Sequence, residues 1–87
     1  MDKQMIIQQL KSLIIQGMNL SLTPDEIKGD NLEQEININS VDFLEIMVLI
    51  ENAFQIEIPD EDLDPEMINN LSKVADYIRS KLAVGRD

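Results

Sequence analysis

The segment from Val41 to Phe54 constrains the fold of this chain more than any other part of the sequence. It is of helical length, and neither Gly nor Pro interrupts it, so it predicts a helix. Steps of about 100° per residue give this helix one broad apolar face, which we expect to lie in the core. The predicted core face consists of Phe43, Ile46, Met47, Ile50, Ala53 and Phe54.

Two other segments have the periodicity of a helix that packs on one side. From Lys3 to Gln16, apolar residues recur at steps of three and four, and Gly17 is a plausible terminator. The second segment runs from Leu71 to Leu82, with Asn70 as its predicted cap. Its predicted apolar stripe consists of Leu71, Val74, Ala75, Ile78 and Leu82.

The connections between these helices have local signals of their own. A long loop is predicted from Met18 to Asn39, with a short helical turn from Pro24 to Lys28 because Thr23 precedes Pro24 as a cap. A short helix is expected within Asp60 to Ile68, capped by Asp60 or Asp64. The sequence therefore predicts an all-α fold, a small bundle of three main helices plus a short helix, in a single domain over residues 1–87.

Composition excludes several classes of function. The formal net charge is −10, which argues against nucleic acid or an anionic membrane surface as partner and favours basic protein partners. The chain has no Cys and no His, so the commonest catalytic groups are missing and we expect no enzyme activity. The start of the chain is no signal peptide and no apolar run is long enough to span a membrane, so the expected location is the cytoplasm.

A dense acidic run follows the central predicted helix. Two interpretations are a divalent-cation site and a solvated acidic face, and we favour the second because the Gly of the EF-hand spacing is missing. No specific metal site is therefore predicted. The run consists of Glu57, Asp60, Glu61, Asp62, Asp64 and Glu66.

Ser40 lies where a polar stretch becomes the central helix. The N–H groups of a helix's first turn lack partners within the helix and favour an anion, so a phosphate ester on Ser40 would suit this position. Serine is also a good helix cap, which is the simpler interpretation of such a residue.

The surroundings of Ser40 resemble the acyl carrier protein family, whose members carry Asp-Ser-Leu at the start of their second helix. The triplet here is Asn39-Ser40-Val41, followed by an acidic residue at Asp42. The run from Phe54 to Asp62 is similar to the family's Phe-x-x-x-Ile-Pro-Asp-Glu, and the last predicted helix resembles the family's last helix. Asn39 replaces the family's Asp, and Asn37 stands where many members have Gly, a position that Asn can occupy at positive φ.

This resemblance implies that Ser40 carries a 4′-phosphopantetheine arm, attached by a phosphopantetheinyl transferase. The arm would hold acyl or aminoacyl groups as thioesters for enzymes of fatty-acid, polyketide or related biosynthesis. We also expect a monomeric carrier. Its interior is considered as a shelter for the acyl chain, although for most of the residues concerned a core without a ligand role is the favoured interpretation. The interior residues considered for this role are Phe43, Met47, Ile50, Phe54, Ile58, Ile68 and Tyr77.

The side of the central helix that faces away from its core face carries apolar residues where polar ones are usual. Either these residues pack under the long loop, or they form an exposed patch rimmed by carboxylates that docks basic-surfaced acyl-transferring or condensing enzymes. The predicted docking residues are Val41, Asp42, Leu44, Glu45, Val48 and Glu51. The alternative function is an acidic helical adaptor without a prosthetic group, in which Ser40 would only cap the helix.

Overall fold

The structure, a computed structural model, describes residues 2–62 and 64–84, apart from five side chains. It contains five α-helices in the described ranges: α1 (Lys3–Gly17), α2 (Leu32–Ile36), α3 (Ser40–Phe54), α4 (Pro65–Ile68) and α5 (Leu71–Val84). Short 3-10 turns lie at Pro24–Glu26 and Asp60–Asp62. The side chains outside the description are those of Ser40, Pro65, Ile68, Ala83 and Val84.

The predicted fold class is confirmed. The three long helices begin within a residue of their predicted starts, and the described residues contain no strand. The first loop differs from the prediction, because it folds into the additional short helix α2. In the part of the chain that the structure describes, no helix is both long and apolar enough to cross a bilayer.

The core lies where α1 contacts both α3 and α5. Ile6, Leu10 and Ile14 are completely buried on one side of α1. The core face of α3 is narrower than predicted, since Ala53 is exposed and Phe43 is only half-buried. Ala53 has a single methyl group and gains little from burial. The remaining core residues of the long helices are Ile46, Met47, Ile50, Phe54, Leu71, Val74, Ala75 and Ile78.

Gly17 does not terminate α1 in the way that the sequence suggested. It is the last residue inside the helix, and the chain reverses two residues later at Asn19, where φ is +56°. A Cβ atom at position 17 would overlap the side chain of Leu49. The glycine is therefore explained by the close approach of α1 to α3 rather than by a turn.

Backbone hydrogen bonds join the first loop to the start of α5. The N–H of Leu71 donates to the carbonyl of Gly29 over 2.9 Å, and the N–H of Leu32 donates to the carbonyl of Asn69 over 3.0 Å. Gly29 has φ of +85°, and a Cβ there would lie 3.1 Å from the Leu71 side chain. The long loop is thus part of the packed structure. Long loops without such contacts are uncommon in small compact domains.

The partly buried Glu35 carboxylate links three backbone N–H groups of this loop. It accepts hydrogen bonds from the backbone N–H groups of Lys28 (2.6 Å), Gly29 (3.0 Å) and Asn31 (3.1 Å). Burial by itself raises the pKa of the Glu35 carboxyl, but the backbone hydrogen bonds outweigh it and lower the pKa below its ordinary value of 4.5. The ionised carboxylate is therefore the form that the folded loop favours.

Side-chain contacts join the acidic run to α5. The hydroxyl of Tyr77 donates to Oδ2 of Asp62 over 2.7 Å, and Nζ of Lys81 lies 3.8 Å from the same oxygen. Burial and the negative Asp62 raise the pKa of the Tyr77 phenol above its ordinary value. Directly before Tyr77 in α5, Asp76 pairs with Lys3 of α1 over 3.1 Å.

Candidate functional site

The N-terminus of α3 is capped by Asn39, and Ser40 is the first residue inside the helix. Oδ1 of Asn39 accepts hydrogen bonds from the N–H groups of Val41 and Asp42, each over 2.9 Å. The Asp42 carboxylate accepts in return from the N–H of Asn39 over 3.1 Å. This is a complete capping box. The interpretation of Ser40 as merely the helix cap is therefore wrong, because its neighbour fills that role.

The same geometry corrects the expected setting for a phosphate ester. Two of the first-turn N–H groups, those of Val41 and Asp42, are already bound by Asn39, so they are not open to an anion as the sequence suggested. What the helix start still offers is the positive end of the α3 dipole. A negative group on Ser40 would be favoured there by the field of the helix rather than by those two donors.

The backbone holds Ser40 at the surface of the molecule. Both flanking residues, Asn39 and Val41, are exposed, and the Ser40 side chain itself lies outside the described part. Upstream, Asn37 ends α2 with φ of +56° and ψ of +48°, which confirms that Asn supports positive φ at this turn. Ser40 is therefore flanked on both sides by exposed residues at the start of α3.

A patch of apolar side chains faces solvent next to this serine. Val41, Leu44 and Val48 are 70%, 55% and 53% exposed, respectively. The alternative interpretation, in which they pack under the first loop, is therefore wrong. They recur at steps of three and four along α3, so they share one side of the helix. We call these three residues the α3 patch.

The three carboxylates predicted to accompany the α3 patch differ in their contacts. Glu45 is exposed, and among the described residues its carboxylate has no hydrogen-bond partner. Asp42 belongs to the capping box, and Oε2 of Glu51 accepts from the N–H of Ile58 over 3.0 Å. Asp42 and Glu51 therefore also stabilise the two ends of α3, and for Glu51 its helical position alone did not indicate this role.

Charge is unevenly distributed along the chain. No Lys or Arg lies between Lys28 and Lys73, whereas most of the 17 acidic residues do. This stretch includes Ser40, the α3 patch and the acidic run. In the two ion pairs formed by described residues, the cations Lys3 and Lys81 come from outside this stretch, and Lys81 pairs with Asp62 of the acidic run. The surface around Ser40 therefore attracts cationic groups, and no nearby residue in sequence compensates an added negative charge.

The structure gives less specific information about two other candidate sites, the metal site and the interior shelter for an acyl chain. Among the described residues, no three acidic side chains are grouped in a way that could hold a metal ion. Of the residues considered for sheltering an acyl chain, Met47, Ile50, Phe54 and Ile58 are buried in the core. Phe43 and Tyr77 are partly buried against that core, and the side chain of Ile68 lies outside the description. These residues form the packed interior, and a ligand role for them stays a prediction.

Sequence reasoning did not predict that Asn39 takes part in the capping box with both its side chain and its backbone N–H. Its Oδ1 fixes the helix start, and its own N–H is held by Asp42. The signal was present as Asn39 followed three residues later by an acidic residue, which is a variant of the capping box. This signal was not used, because the adjacent Ser40 is itself a good cap and was assigned that role.

Comparison with known proteins gives concordant results. Residues 8–78 match the family described as "Phosphopantetheine attachment site". A protein named "Acyl carrier protein" from Guillardia theta is 31% identical over 83 residues, which cover 95% of this chain and 99% of that protein. A protein of the same name from Thermosynechococcus vestitus is 27% identical over 84 residues, with the same coverage of both chains. The matched range contains Ser40, Asn39 and the whole α3 patch.

Proposed function

Since the chain belongs to the acyl carrier proteins, the family with a phosphopantetheine attachment site, we propose that Ser40 is the residue to which the 4′-phosphopantetheine is attached. The chain is a carrier and not a catalyst, as its family membership implies. We propose further that it carries acyl or aminoacyl groups between enzymes of fatty-acid, polyketide or related biosynthesis.

The observation that carries the assignment of Ser40 is its place at the start of α3. Asn39 takes the capping role, so the hydroxyl of Ser40 is not needed to begin the helix. The exposed residues on both sides of Ser40, Asn39 and Val41, leave room for a transferase to approach. The donor set fits the group, because a primary hydroxyl forms the phosphodiester and the positive end of α3 favours its charge.

The residues of the chain hold and present this group. The capping box of Asn39 and Asp42 fixes the first turn of α3, and so fixes the point from which the arm extends. The chain has no Cys, so the thiol that forms thioesters is supplied by the bound phosphopantetheine. Attachment at a rigid helix start raises the effective concentration of the cargo at any enzyme that docks the carrier.

We propose the α3 patch as the docking surface for the transferase and the acyl-handling enzymes. Apolar contacts by Val41, Leu44 and Val48 would supply affinity, and the exposed carboxylate of Glu45 would pair with a basic residue of the partner. Asp42 and Glu51 add to the negative field while they stabilise the helix ends. The partners are therefore proposed to present a basic surface. Cytoplasmic location, a monomeric state and a single domain over residues 1–87 stay predictions.

The experiment that tests the attachment site is intact-mass analysis after incubation with coenzyme A and a phosphopantetheinyl transferase. The wild-type chain gains the mass of one phosphopantetheine, and Ser40→Ala does not. Ser72→Ala is the matched control, since Ser72 is an exposed serine in the first turn of another Asn-capped helix, α5. Normal loading of Ser40→Ala, or loss of loading in Ser72→Ala, would contradict the assignment.

Docking is tested by the rate of the same transfer reaction. Glu45→Lys should lower kcat/KM about tenfold or more at low salt and flatten its salt dependence, because it replaces an attraction by a repulsion. Asp25→Lys is the control, an equal change of charge at an exposed residue of the 3-10 turn that packs on α1. If both variants were slowed equally, the change in net charge would explain the effect, and docking at α3 would be contradicted.

A further inference from the structure

The segment that follows α3 has little backbone support. We call residues 56–62 the strap. Among the described residues, its backbone makes one hydrogen bond to backbone outside it, from the N–H of Ile56 to the carbonyl of Glu51 over 3.2 Å. Most residues of the strap are exposed, whereas Ile58 is buried and belongs to the core. The strap therefore covers part of the core, although little regular secondary structure secures it.

Two carboxylates tie the strap to the neighbouring helices. Oε2 of Glu51 in α3 accepts from the N–H of Ile58 over 3.0 Å. Oδ2 of Asp62 accepts from the Tyr77 hydroxyl of α5 over 2.7 Å, a short bond of the kind that a charged acceptor forms. Lys81 adds to this second tie, since its Nζ lies 3.8 Å from the same oxygen and 5.5 Å from the centre of the Tyr77 ring. Both ties depend on side chains, so they can break while α3 and α5 keep their own backbone hydrogen bonds.

Release of the strap would expose much less apolar surface than unfolding of the bundle. Of the buried core residues that the structure describes, only Ile58 lies in the strap, and Ile56 is partly buried against the core. Segments with few buried contacts and few backbone hydrogen bonds open at a lower free energy than the core does. The two ties and the burial of these isoleucines are therefore what hold the strap closed.

We propose that Asp62 and Tyr77 form a latch: their hydrogen bond holds the strap over the core, and when it breaks the strap opens as a unit while the long helices stay folded. Lys81 reinforces the latch by pairing with the same carboxylate. Opening uncovers the part of the core that Ile58 covers, so the latch controls access to the interior at this point. These contacts belong to the unloaded chain, and the latch therefore does not depend on the proposed function.

Amide hydrogen exchange of the full unloaded chain at neutral pH tests this latch. The N–H of Ile58 reports on the strap, and the N–H of Ile50, inside α3, reports on the bundle. We expect Ile58 to exchange faster than Ile50 and to respond little to low urea concentrations, because opening of the strap exposes little surface. Tyr77→Phe removes only the hydroxyl at the far end of the strap and should speed the exchange of Ile58 about tenfold or more. Ile14→Val, a loss of core packing in α1, is the control for overall stability and should speed the exchange of Ile50 but not of Ile58.

A second pair of variants separates the latch from net charge. Asp62→Asn and Asp60→Asn each remove one negative charge from the same 3-10 turn, but only Asp62 bonds to Tyr77, so only Asp62→Asn should speed the exchange of Ile58. The proposal is overturned if Ile58 exchanges as slowly as Ile50 with the same urea dependence, since the strap would then open only with the whole bundle. An unchanged Ile58 rate in Tyr77→Phe, or equal acceleration by Asp60→Asn and Asp62→Asn, would also overturn it. Absence of loading by the transferase would instead contradict the proposed function and leave the latch untouched.

Discussion

Glu35 offers the sharpest test of what orders the long first loop. Its carboxylate accepts from the N–H groups of Lys28, Gly29 and Asn31 at 2.6–3.1 Å. Glu35→Gln keeps the shape of the side chain but leaves a single acceptor oxygen, and its NH2 group must face at least one backbone donor. A hydrogen bond to a charged group contributes roughly 1.5–3 kcal/mol. Because Glu35 is only half-buried, we take the lower part of that range, about 2 kcal/mol.

For a domain of this size, 1 kcal/mol corresponds to roughly 4–8 °C in melting temperature, so Glu35→Gln should melt on the order of 10 °C below the wild type. Glu33→Gln is the control, because Glu33 is an exposed residue of the same short helix. Both variants remove one negative charge, which by itself relieves repulsion. Thermal unfolding followed by circular dichroism gives the difference between them.

Amide hydrogen exchange gives a second, local measurement. The N–H groups of Lys28, Gly29 and Asn31 should exchange faster in Glu35→Gln than in Glu33→Gln, because only the former loses their acceptor. Equal melting temperatures and equal exchange in the two variants would refute the view that this carboxylate holds the loop.

The pH dependence follows from the lowered pKa of Glu35. A carboxyl group whose folded pKa is lower than its unfolded one stabilises the protein fully above the unfolded value, here 4.5. This contribution is lost as the pH falls from 4.5 through the folded pKa. The melting-temperature gap between wild type and Glu35→Gln should therefore be constant at neutral pH and should close in acid. A gap that widens in acid would contradict the cited shift.

Three further predictions concern the rest of the bundle. Glu51→Gln should cost about 1–2 kcal/mol in unfolding free energy, because it weakens the hydrogen bond from Ile58, whereas Glu45→Gln should leave chemical denaturation unchanged. The phenol of Tyr77 should stay protonated above pH 10, and any stability that it contributes through Asp62 should be lost only as pH rises from 10.0 through the higher folded pKa. An absorbance titration reports this residue alone, since the chain has one Tyr and no Trp. An ordinary titration midpoint would contradict the partly buried hydrogen bond to Asp62. The melting temperature should rise with added salt at neutral pH because the net charge of −10 is screened, and magnesium should act as a monovalent salt of equal ionic strength does unless it occupies a specific site.

The long helices were predictable because their signals are local. Apolar spacing and the caps Asn70 and Asp64 lie next to the elements that they define, and the structure shows both side chains accepting from nearby backbone N–H groups. Helical spacing also placed the three residues of the α3 patch on the side away from the core face, although it left open whether they are exposed or lie under the first loop. These features need no knowledge of the tertiary structure.

The features that were missed depend on parts of the chain that meet only after folding. Helix α2 is held by Asn69, whose carbonyl accepts a hydrogen bond from the N–H of Leu32. No local sequence pattern predicts this contact. Gly17 resembled a helix terminator, but its neighbour in space is Leu49. Glu51 was interpreted as a solvent-facing charge, and its bond to Ile58 requires the chain to turn back after α3. The start of α3 was misassigned for another reason, since two adjacent residues were both good caps and the sequence could not choose between them.

Among the residues that the structure describes, three other than glycine have left-handed backbone conformation, and each lies where a helix ends. Asn19, Asn37 and Gln55 all have φ of +56°, a conformation that costs an ordinary L-residue roughly 1–2 kcal/mol and glycine almost nothing. Gln55 carries the largest such cost, since Asn tolerates this region better. These three helix ends are therefore less stable in their backbone conformation than they would be with glycine at the same positions. For protein engineering this is a reserve: a glycine at position 55 would remove the backbone strain, and its gain is reduced by loss of the exposed hydrogen bond that Nε2 of Gln55 donates to the carbonyl of Asn52 over 2.7 Å.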